Sequence, residues 1–373
     1  MGNLLITAEK HREAIKEQLA PFLRGNSLKD FHAAMKSEVS SLIKRYVSEA
    51  ADAMQLDSEK EGYAKVLDDY ISRPSHYSRP LLVMLTAGLY GNESQGAVKL
   101  ASAIQLSEEW MLILDDIQDK AAMRRGEKTL HRLYGEQIAS LASATLESVM
   151  HIIISDYKDA EPDKAVANRV YDAFKKIGYH TATGQYLDLR FTYSIKDFDR
   201  VDNDFYYSMV DGKTSRYTVY GPMVLGALAS GMDGKVVEML TSIGKSAGIA
   251  FQIADDILDF GPSAKTGKQQ YGDLYEGKLN FVMLNAFKMS TTEERRKVLE
   301  IYAKSRESKT RSDISYLTSL VEKYHSIKES GIQKEKYAGQ AASDLLDYSS
   351  SIPKNKYRDW LAAALMGLYN REF

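Results

Sequence analysis

Residues 94–119 read SQGAVKLASAIQLSEEWMLILDDIQD, a long apolar segment that closes on a cluster of aspartates. Residues 234–260, GKVVEMLTSIGKSAGIAFQIADDILDF, repeat this arrangement later in the chain. In both segments the apolar residues recur at three- and four-residue spacing, which predicts helices. Because few positions around either helix are polar, we expect both helices to be buried inside a large helical protein.

The rest of the chain carries the same helical periodicity. Glycines and the seven prolines fall mostly between periodic segments, and the alternating pattern of strands is absent. We therefore expect an all-α fold, a large helical bundle around a central apolar cavity. No linker divides the sequence, so residues 1–373 are treated as a single domain, and Pro222 predicts a kink rather than a helix end. The predicted helices cover about residues 27–52, 59–72, 79–91, 94–119, 128–155, 163–191, 202–231, 234–260, 280–289, 292–305, 311–349 and 356–370.

The composition limits the classes of function. The 373 residues are 44% hydrophobic and 27% charged, which is ample for a large core. The chain has no cysteine, which excludes disulfides and thiolate chemistry and favours a cytoplasmic location. Residues 1–20 are too charged for a signal peptide and no later apolar run reaches about 18 residues, so we expect no transmembrane segment. The net charge of −2 gives no sign of a nucleic-acid partner.

Each of the two apolar segments ends in the motif Asp-Asp-Ile-x-Asp. The first and last aspartates are four residues apart, so they project from one face of the helix. Clustered carboxylates repel one another unless cations neutralise them, and these hard oxygen ligands suit Mg²⁺, which often completes its shell with phosphate oxygens. One such motif alone is equally typical of a solvated helix end, but the matched pair favours a metal site. The predicted metal ligands are Asp115, Asp116, Asp119, Asp255, Asp256 and Asp259.

Basic residues follow or separate these motifs. Arg124 and Arg125 come shortly after the first motif, Lys213 lies in an apolar helix, and Lys268 and Lys278 lie in a glycine-rich loop after the second motif. Arginine binds phosphate through two parallel hydrogen bonds, and a buried lysine needs an anionic partner. The alternatives are neutralisation of the aspartates, a structural salt bridge at Lys213 and a solvated loop. Taken together, the residues predict cleavage of a diphosphate from an apolar substrate.

In this combination and order the motifs resemble those of the polyprenyl synthetases, the trans-isoprenyl diphosphate synthases that include farnesyl and geranylgeranyl diphosphate synthases. The matching residues begin at Arg79-Pro80 and end at Gly277-Lys278. The resemblance implies a homodimeric, magnesium-dependent prenyltransferase that uses about three ions. In the implied reaction an allylic diphosphate ionises, the double bond of isopentenyl diphosphate attacks the carbocation, and a proton is lost.

The resemblance also implies roles for single residues. Asp115, Asp119 and Asp255 would hold Mg²⁺. The allylic diphosphate would be bound by Arg124, Lys213 and Lys278, the carbocation would lie near Thr214 and Gln252, and the second diphosphate would be held by Arg79 and Arg125.

Two positions of the second-substrate site depart from the family pattern. His76 stands where the family usually has a lysine that binds isopentenyl diphosphate, and Glu108 stands where the family has His or Gln. In one interpretation Glu108 pairs with His76 or Arg79 while Arg73 replaces the lost lysine, which leaves ordinary activity. In the other, the acceptor site is altered, which gives weak isopentenyl affinity, a different acceptor or dependence on a partner subunit.

The residues before the first motif bear on product length. In the family, bulky side chains four and five positions before the first aspartate form the floor beneath the growing chain, and here these are Met111 and Trp110. They imply a product of about C15 to C20, unless Trp110 is an ordinary core residue. The remaining alternatives are a terpene cyclase, which the second aspartate motif disfavours, and a regulatory subunit of a heteromeric synthase, which the six retained aspartates disfavour.

Overall fold

The computed structural model describes residues 28–261, 270–348 and 351–370, and within these ranges the chain is almost entirely helical, as the sequence predicts. Two π-helical stretches, Phe191–Ile195 and Asp211–Tyr220, interrupt the α-helices, and we call the second one the π segment. The elements are α1 (Leu28–Asp52), α2 (Asp57–Ile71), α3 (Ser78–Leu89), α4 (Gln95–Gln118), β1 (Met123–Arg124), β2 (Glu127–Lys128), α5 (Leu130–Tyr134), α6 (Glu136–Ala160), α7 (Lys164–Arg190), α8 (Asn203–Val210), α9 (Gly221–Ala229), α10 (Lys235–Leu258), α11 (Gly272–Glu276), α12 (Phe281–Met289), α13 (Thr292–Tyr302), α14 (Arg311–Lys323), α15 (Ser326–Asp347) and α16 (Lys356–Asn370).

The two apolar helices that end in aspartates are the central helices of the bundle. α4 packs against α3 and α6, and α10 packs against the π segment, α15 and α16. Leu106 of α4 and Ile243 of α10 are both 0% exposed. Helices without a continuous polar face are stable only when neighbours cover them, which is the position that both helices occupy here.

Two hydrophobic cores meet at α10. Ile243 belongs to the larger core, which joins α10 to the N-terminal helices and α16, whereas Ile253 belongs to the smaller core around α12 to α14. In the smaller core the ring of Phe198 lies 5.1 Å from that of Phe287 and 4.8 Å from that of Tyr302. Because α10 is packed on both sides, its last turn, which carries the second aspartate motif, is held rigidly.

The helical path continues through Pro222, as the sequence predicts. The irregularity takes the form of the π segment, which runs directly into α9 at Gly221. A proline has no backbone N–H to donate to the preceding turn, and a locally widened helix accommodates that loss.

Several predicted boundaries differ from those observed. The helix predicted over 128–155 begins only at Glu136, because Gly135 has a φ of +88° and separates α5 from α6. The helix predicted over 311–349 is broken at His325, whose φ of +52° is left-handed. The strands β1 and β2 and the short helix α11 are not predicted, because two- to five-residue elements lack a measurable period.

One helix among the described residues is long and apolar enough to cross a membrane by length and composition, namely α6. The helix is not an unbroken apolar run, because Glu147 and several serines lie within it. Core helices of soluble proteins pass the same test, and the side of α6 that faces α4 is buried, with Leu146 and Ile153 both 0% exposed.

Candidate active site

A cavity of about 1110 Å³ opens between α4, α7, the π segment and α10. Both aspartate motifs reach it, which is the arrangement that the sequence predicts. Of the predicted site residues, those that line it are Arg79, Glu108, Trp110, Met111, Asp115, Asp119, Arg124, Lys213, Thr214, Gln252, Asp255, Asp256, Asp259 and Lys278. Two further predicted residues contact the lining without being part of it: Asp116 contacts Arg124, and Arg125 contacts Glu108. His76 is exposed and is not among the lining residues described. Lys268 lies outside the described residues.

Both motifs lie at the C-terminal end of a helix. α4 ends at Gln118 with Asp119 as its cap, and α10 ends at Leu258 with Asp259 as its cap. The partial negative charge of a helix C-terminus disfavours carboxylates there, so each motif adds like charge to like charge. Only bound cations can compensate such an arrangement, whether they come from the protein or from solution.

The first motif is contacted by Arg124. Its Nε donates to Asp116 Oδ1 over 2.7 Å and its second guanidinium nitrogen reaches Asp115 Oδ2 at 3.1 Å. Gln185 donates to Asp115 Oδ1 at 3.2 Å. Asp116 is only 2% exposed and also accepts from the hydroxyl of Tyr70, so its carboxylate is directed into the protein rather than into the cavity.

The hairpin β1–β2 explains why two adjacent arginines serve different partners. Its turn consists of Arg125 and Gly126, with φ values of +55° and +83°, as a tight hairpin turn of the I′ type requires. Arg125 leaves this turn towards α4, where it donates to Glu109 over 2.6 Å and approaches Glu108 at 3.5 Å. Arg124 faces the aspartates, so the pair does not form a single anion site.

Lys213 is placed by a close contact between two helices. A Cβ on Gly184 of α7 would lie 2.1 Å from the backbone nitrogen of Lys213, so only glycine permits this approach of α7 to the π segment. Lys213 Nζ lies 2.5 Å from Asp188 Oδ2 and 3.9 Å from Asp115 Oδ1. Burial alone lowers the pKa of Lys213, but Asp188 and Asp115 outweigh it and hold that pKa above its ordinary value, so the ammonium stays charged.

The middle aspartate of the second motif is anchored like its counterpart. Asp256 is 3% exposed; its Oδ2 accepts from the Tyr206 hydroxyl at 2.9 Å and from the Phe281 amide at 2.7 Å, and its Oδ1 accepts from Gln252 at 2.9 Å. Burial, and the nearby charge of Asp273, raise the pKa of Asp256 to about 8. In each motif, therefore, the middle carboxylate stabilises the fold.

Thr214 and Gln252 form a short polar chain in the cavity wall. The Thr214 hydroxyl donates to Gln252 Oε1 at 2.7 Å, and Gln252 donates in turn to Asp256. The buried carboxylate therefore fixes the orientation of both side chains. Their oxygens lie in the wall of an otherwise largely apolar cavity.

Lys278 connects the first motif to the loop after the second. Its Nζ lies 2.5 Å from Asp119 Oδ2 and 2.9 Å from Glu276, which also pairs with Arg306. Burial raises the pKa of Asp119 to about 7 although Lys278 opposes it. Glu276 and Arg306 also line the cavity but are not among the site residues predicted from the sequence. The glycine-rich stretch around Lys278 indicates Glu276, whereas no sequence motif marks Arg306.

The donor set fits magnesium bound together with a ligand. In the described part of the chain, no group of three or more acidic or histidine side chains could hold a metal ion by itself. The acidic side chains that line the cavity offer carboxylate oxygens, the hard ligands that Mg²⁺ prefers. Mg²⁺ commonly binds one or two carboxylates and fills its other positions with phosphate oxygens and water. We call this region the aspartate end, defined by Asp115, Asp119, Asp255 and Asp259.

A second charged region, the Glu108 end, is defined by Arg79, Glu108 and Arg125. Glu108 pairs with Arg79 at 2.9 Å, as one sequence interpretation expects. That interpretation also expects Arg73 to replace the missing lysine, but Arg73 is not among the residues described as lining the cavity. Arg73 is 7% exposed and donates to Asp69 and to the carbonyl of Lys128.

The apolar part of the cavity contains Trp110 and Met111. The Trp110 indole donates to the sulfur of Met150 at 3.4 Å, and its backbone carbonyl accepts from Ser143 at 2.9 Å. The ring is therefore fixed by α6 while still lining the cavity. Trp110 thus combines the two roles, core residue and cavity wall, that the sequence analysis treats as alternatives.

Comparison with known proteins gives one consistent result. The family model described as polyprenyl synthetase matches residues 60–321. The chain is 31% identical over 258 residues to a geranylgeranyl pyrophosphate synthase of Geoglobus acetivorans. The aligned region covers 67% of this chain and 76% of that protein. It is also 34% identical over 219 residues to a geranylfarnesyl diphosphate synthase of Aeropyrum pernix, and this match covers 58% of this chain and 67% of that protein.

The fold is similar to solved structures over nearly its whole length. One is a geranylgeranyl pyrophosphate synthase from Corynebacterium glutamicum complexed with isoprenyl diphosphate and magnesium. The TM-score is 0.77 at 21% identity, and the match covers 90% of this chain and 99% of that one.

Proposed function

Because this chain belongs to the polyprenyl synthetase family, we propose that it is a short-chain trans-isoprenyl diphosphate synthase, a prenyltransferase that joins an allylic diphosphate to isopentenyl diphosphate by 1′-4 condensation. The observation that carries the proposal is the single cavity lined by both aspartate motifs and by Arg124, Lys213 and Lys278. An apolar cavity with an acidic, lysine-bearing end suits a substrate with a hydrocarbon tail and a metal-bound diphosphate.

Four aspartates would hold the Mg²⁺ ions, namely Asp115, Asp119, Asp255 and Asp259. When bound, the ions supply positive charge that stabilises the departing diphosphate. Asp116 and Asp256 would act indirectly by fixing the helix ends, because they are only 2% and 3% exposed and accept hydrogen bonds from buried donors such as the hydroxyls of Tyr70 and Tyr206. The resemblance implies about three ions, and a fold relative was solved with magnesium.

The basic residues of the aspartate end would bind the allylic diphosphate. Arg124, Lys213 and Lys278 each contact a carboxylate in the structure. On binding, they would share these contacts with phosphate oxygens, and the substrate would be fixed with its reacting carbon directed into the cavity. Lys268 stays a predicted contributor.

The cavity wall would stabilise the allylic carbocation. The oxygens of Thr214 and Gln252 carry partial negative charge and are held in place through Asp256. Fixed dipoles of this kind stabilise developing charge without reorganisation, and the surrounding apolar side chains exclude water that would otherwise trap the cation. The proton lost in the final step would pass to the departing diphosphate.

The Glu108 end would bind the second substrate. Arg79 lines the cavity and Arg125 reaches it through Glu108, so these two guanidiniums would hold the diphosphate of isopentenyl diphosphate. His76, which is exposed and outside the described lining, would contribute little.

Trp110 and Met111 would set the product length at about C15 to C20. The indole lines the cavity and is fixed by Met150, so it would form a rigid floor beneath a longer chain. The printed names of the relatives, geranylgeranyl and geranylfarnesyl synthases, describe neighbouring chain lengths.

We also propose that the protein is a cytoplasmic homodimer. The outward side of α6 presents Ile138, Leu141 and Ile152, which are 42%, 54% and 51% exposed. An apolar helix face of this kind is typical of a surface that a second copy covers. The absence of cysteine from the sequence suits a reducing compartment.

One assay tests the proposed activity. The protein is incubated with Mg²⁺, isopentenyl diphosphate and radiolabelled C5, C10 or C15 allylic diphosphates, and the products are sized by chromatography. We expect elongated allylic diphosphates. A cyclic hydrocarbon would instead indicate a terpene cyclase, and the absence of any product would indicate a regulatory subunit.

A further inference from the structure

We propose that Glu108 is a specificity-determining residue that weakens the binding of isopentenyl diphosphate by neutralising the guanidiniums that would receive it. The inference rests on the proposed function, because it concerns the second substrate of that reaction. It goes beyond that function by assigning to one carboxylate a difference in affinity between the two substrates.

The first observation is the position of the Glu108 carboxylate between both guanidiniums. Its Oε2 lies 2.9 Å from Arg79 and its Oε1 lies 3.5 Å from Arg125. The side chains of Glu108, Arg79 and Arg125 are 15%, 15% and 12% exposed, so water screens their charges only partly. Burial raises the pKa of Glu108, but Arg79 and Arg125 outweigh it and hold that pKa below its ordinary value, so the carboxylate is charged at neutral pH.

The second observation is the charge balance of the Glu108 end. Arg125 is already paired with Glu109 at 2.6 Å, and Glu109 also accepts from Gln105 at 2.5 Å. Glu108 therefore balances the remaining charge, that of Arg79, which also donates to Thr218. Burial raises the pKa of Glu109 to about 7, so Glu109 is only partly charged at neutral pH, and Glu108 is the acid that offsets most of the positive charge of the two guanidiniums.

The third observation is that every other basic residue of the described lining is paired with an acid away from the Glu108 end. Besides Arg79, the basic residues described in the cavity wall are Arg124, Lys213, Lys278 and Arg306. Each of them pairs with an acid of the aspartate end or with Asp188 or Glu276. Arg73 forms an ion pair with Asp69, and His76 is not among the lining residues described.

Together these observations separate the two ends. At the aspartate end, Mg²⁺ bound together with the allylic diphosphate would offset the charge of the carboxylates. A diphosphate at the Glu108 end would be repelled by the Glu108 carboxylate, because the proposed Mg²⁺ ions lie at the other end. Like charges brought together in a partly buried site oppose binding strongly.

The test removes the charge of Glu108 and keeps its shape. In Glu108→Gln the amide oxygen can still accept from Arg79, while the negative charge is lost. We expect the KM for isopentenyl diphosphate to fall at least about tenfold, with little change in the KM for the allylic substrate. Glu108→His, which introduces the residue type that the resemblance implies, should act in the same direction and guards against an artefact of a single variant.

Glu276→Gln is the matched control. This residue also lines the cavity and also pairs with two cations, Lys278 and Arg306, but at the aspartate end. Its substitution should alter the KM for the allylic substrate and leave the affinity for isopentenyl diphosphate unchanged.

Calorimetry separates this inference from the proposed function. Isopentenyl diphosphate is titrated into each folded protein saturated with Mg²⁺ and an unreactive S-thiolo allylic diphosphate. Tighter binding by Glu108→Gln than by the wild type supports the inference, and equal or weaker binding overturns it. Elongation by neither protein would overturn the proposed function, while the titration would still decide the role of Glu108.

Discussion

The aspartate end and the Glu108 end of the cavity are built from the same types of charged residue in different proportions. At the aspartate end, acids outnumber the basic residues that contact them, and they lie at the negative ends of α4 and α10. At the Glu108 end, two acids are matched with two guanidiniums, and Glu108 carries most of the negative charge. An excess of buried acid creates affinity for a divalent cation, whereas a balanced cluster has little affinity for either sign of charge.

The largest effect should follow from removing one acid of the aspartate end. In Asp115→Asn a carboxylate that faces the cavity, and that Arg124 and Gln185 contact, becomes a neutral amide. We expect kcat to fall by about 10²–10³-fold, because stabilisation of the departing diphosphate is lost. Steady-state kinetics with saturating substrates measures this.

Asp68→Asn provides the control for that substitution. Asp68 also belongs to an Asp-Asp pair, but its side chain is 58% exposed and pairs only with surface residues. Its substitution should leave kcat within about twofold of the wild type. Equal losses in the two variants would contradict a special role for the aspartate end.

Lys278→Met should produce the next largest effect. The substitution keeps the bulk of the side chain but removes the cation that contacts Asp119 and Glu276. We expect the KM for the allylic diphosphate to rise about 10–100-fold, because a charged contact to phosphate is lost. The KM for isopentenyl diphosphate should change much less, and a larger change in that constant would show that the two ends are not separate.

A smaller effect, on stability rather than on catalysis, should follow from Asp256→Ala. The Tyr206 hydroxyl and the Phe281 amide would lose their buried acceptor, so the free energy of unfolding should fall by about 1–3 kcal/mol. Chemical denaturation measures this difference. Asp255→Ala is the matched variant: if it destabilises the protein equally, the division of each motif into anchoring and cavity-facing aspartates is incorrect.

The smallest effect on rate is expected from Trp110→Ala, which removes a bulky apolar side chain from the cavity wall. The space beneath the growing chain would increase, so products longer than those of the wild type should form at a similar rate. Product chromatography with each allylic substrate decides the matter. An unchanged product would place the floor of the cavity at other residues.

Much of the fold and the general nature of the site could be predicted from the sequence. Helical periodicity identifies most of the helices. The three- and four-residue spacing places Glu108, Met111, Asp115 and the cap residue Asp119 on one face of α4, and all four line the cavity. These features follow from a single helix and need no knowledge of its neighbours.

The remaining features depend on packing between distant segments. The spacing within Asp255–Asp259 does not reveal that Asp256 faces Tyr206 and Phe281, because those donors come from other helices. In the same way, tertiary structure determines that His76 is exposed and that Arg306 lines the cavity. Such contacts have no signature in local sequence.

The turn at Arg125 and Gly126 has a consequence for how this protein tolerates change. Because successive residues of a strand face opposite sides, inserting or deleting one residue in the hairpin would exchange the faces on which the neighbouring side chains lie. Arg124 would then leave Asp116, and Arg125 would leave Glu109. A point substitution at Glu108 can therefore alter one end alone, whereas a change in the length of this turn would disturb both together.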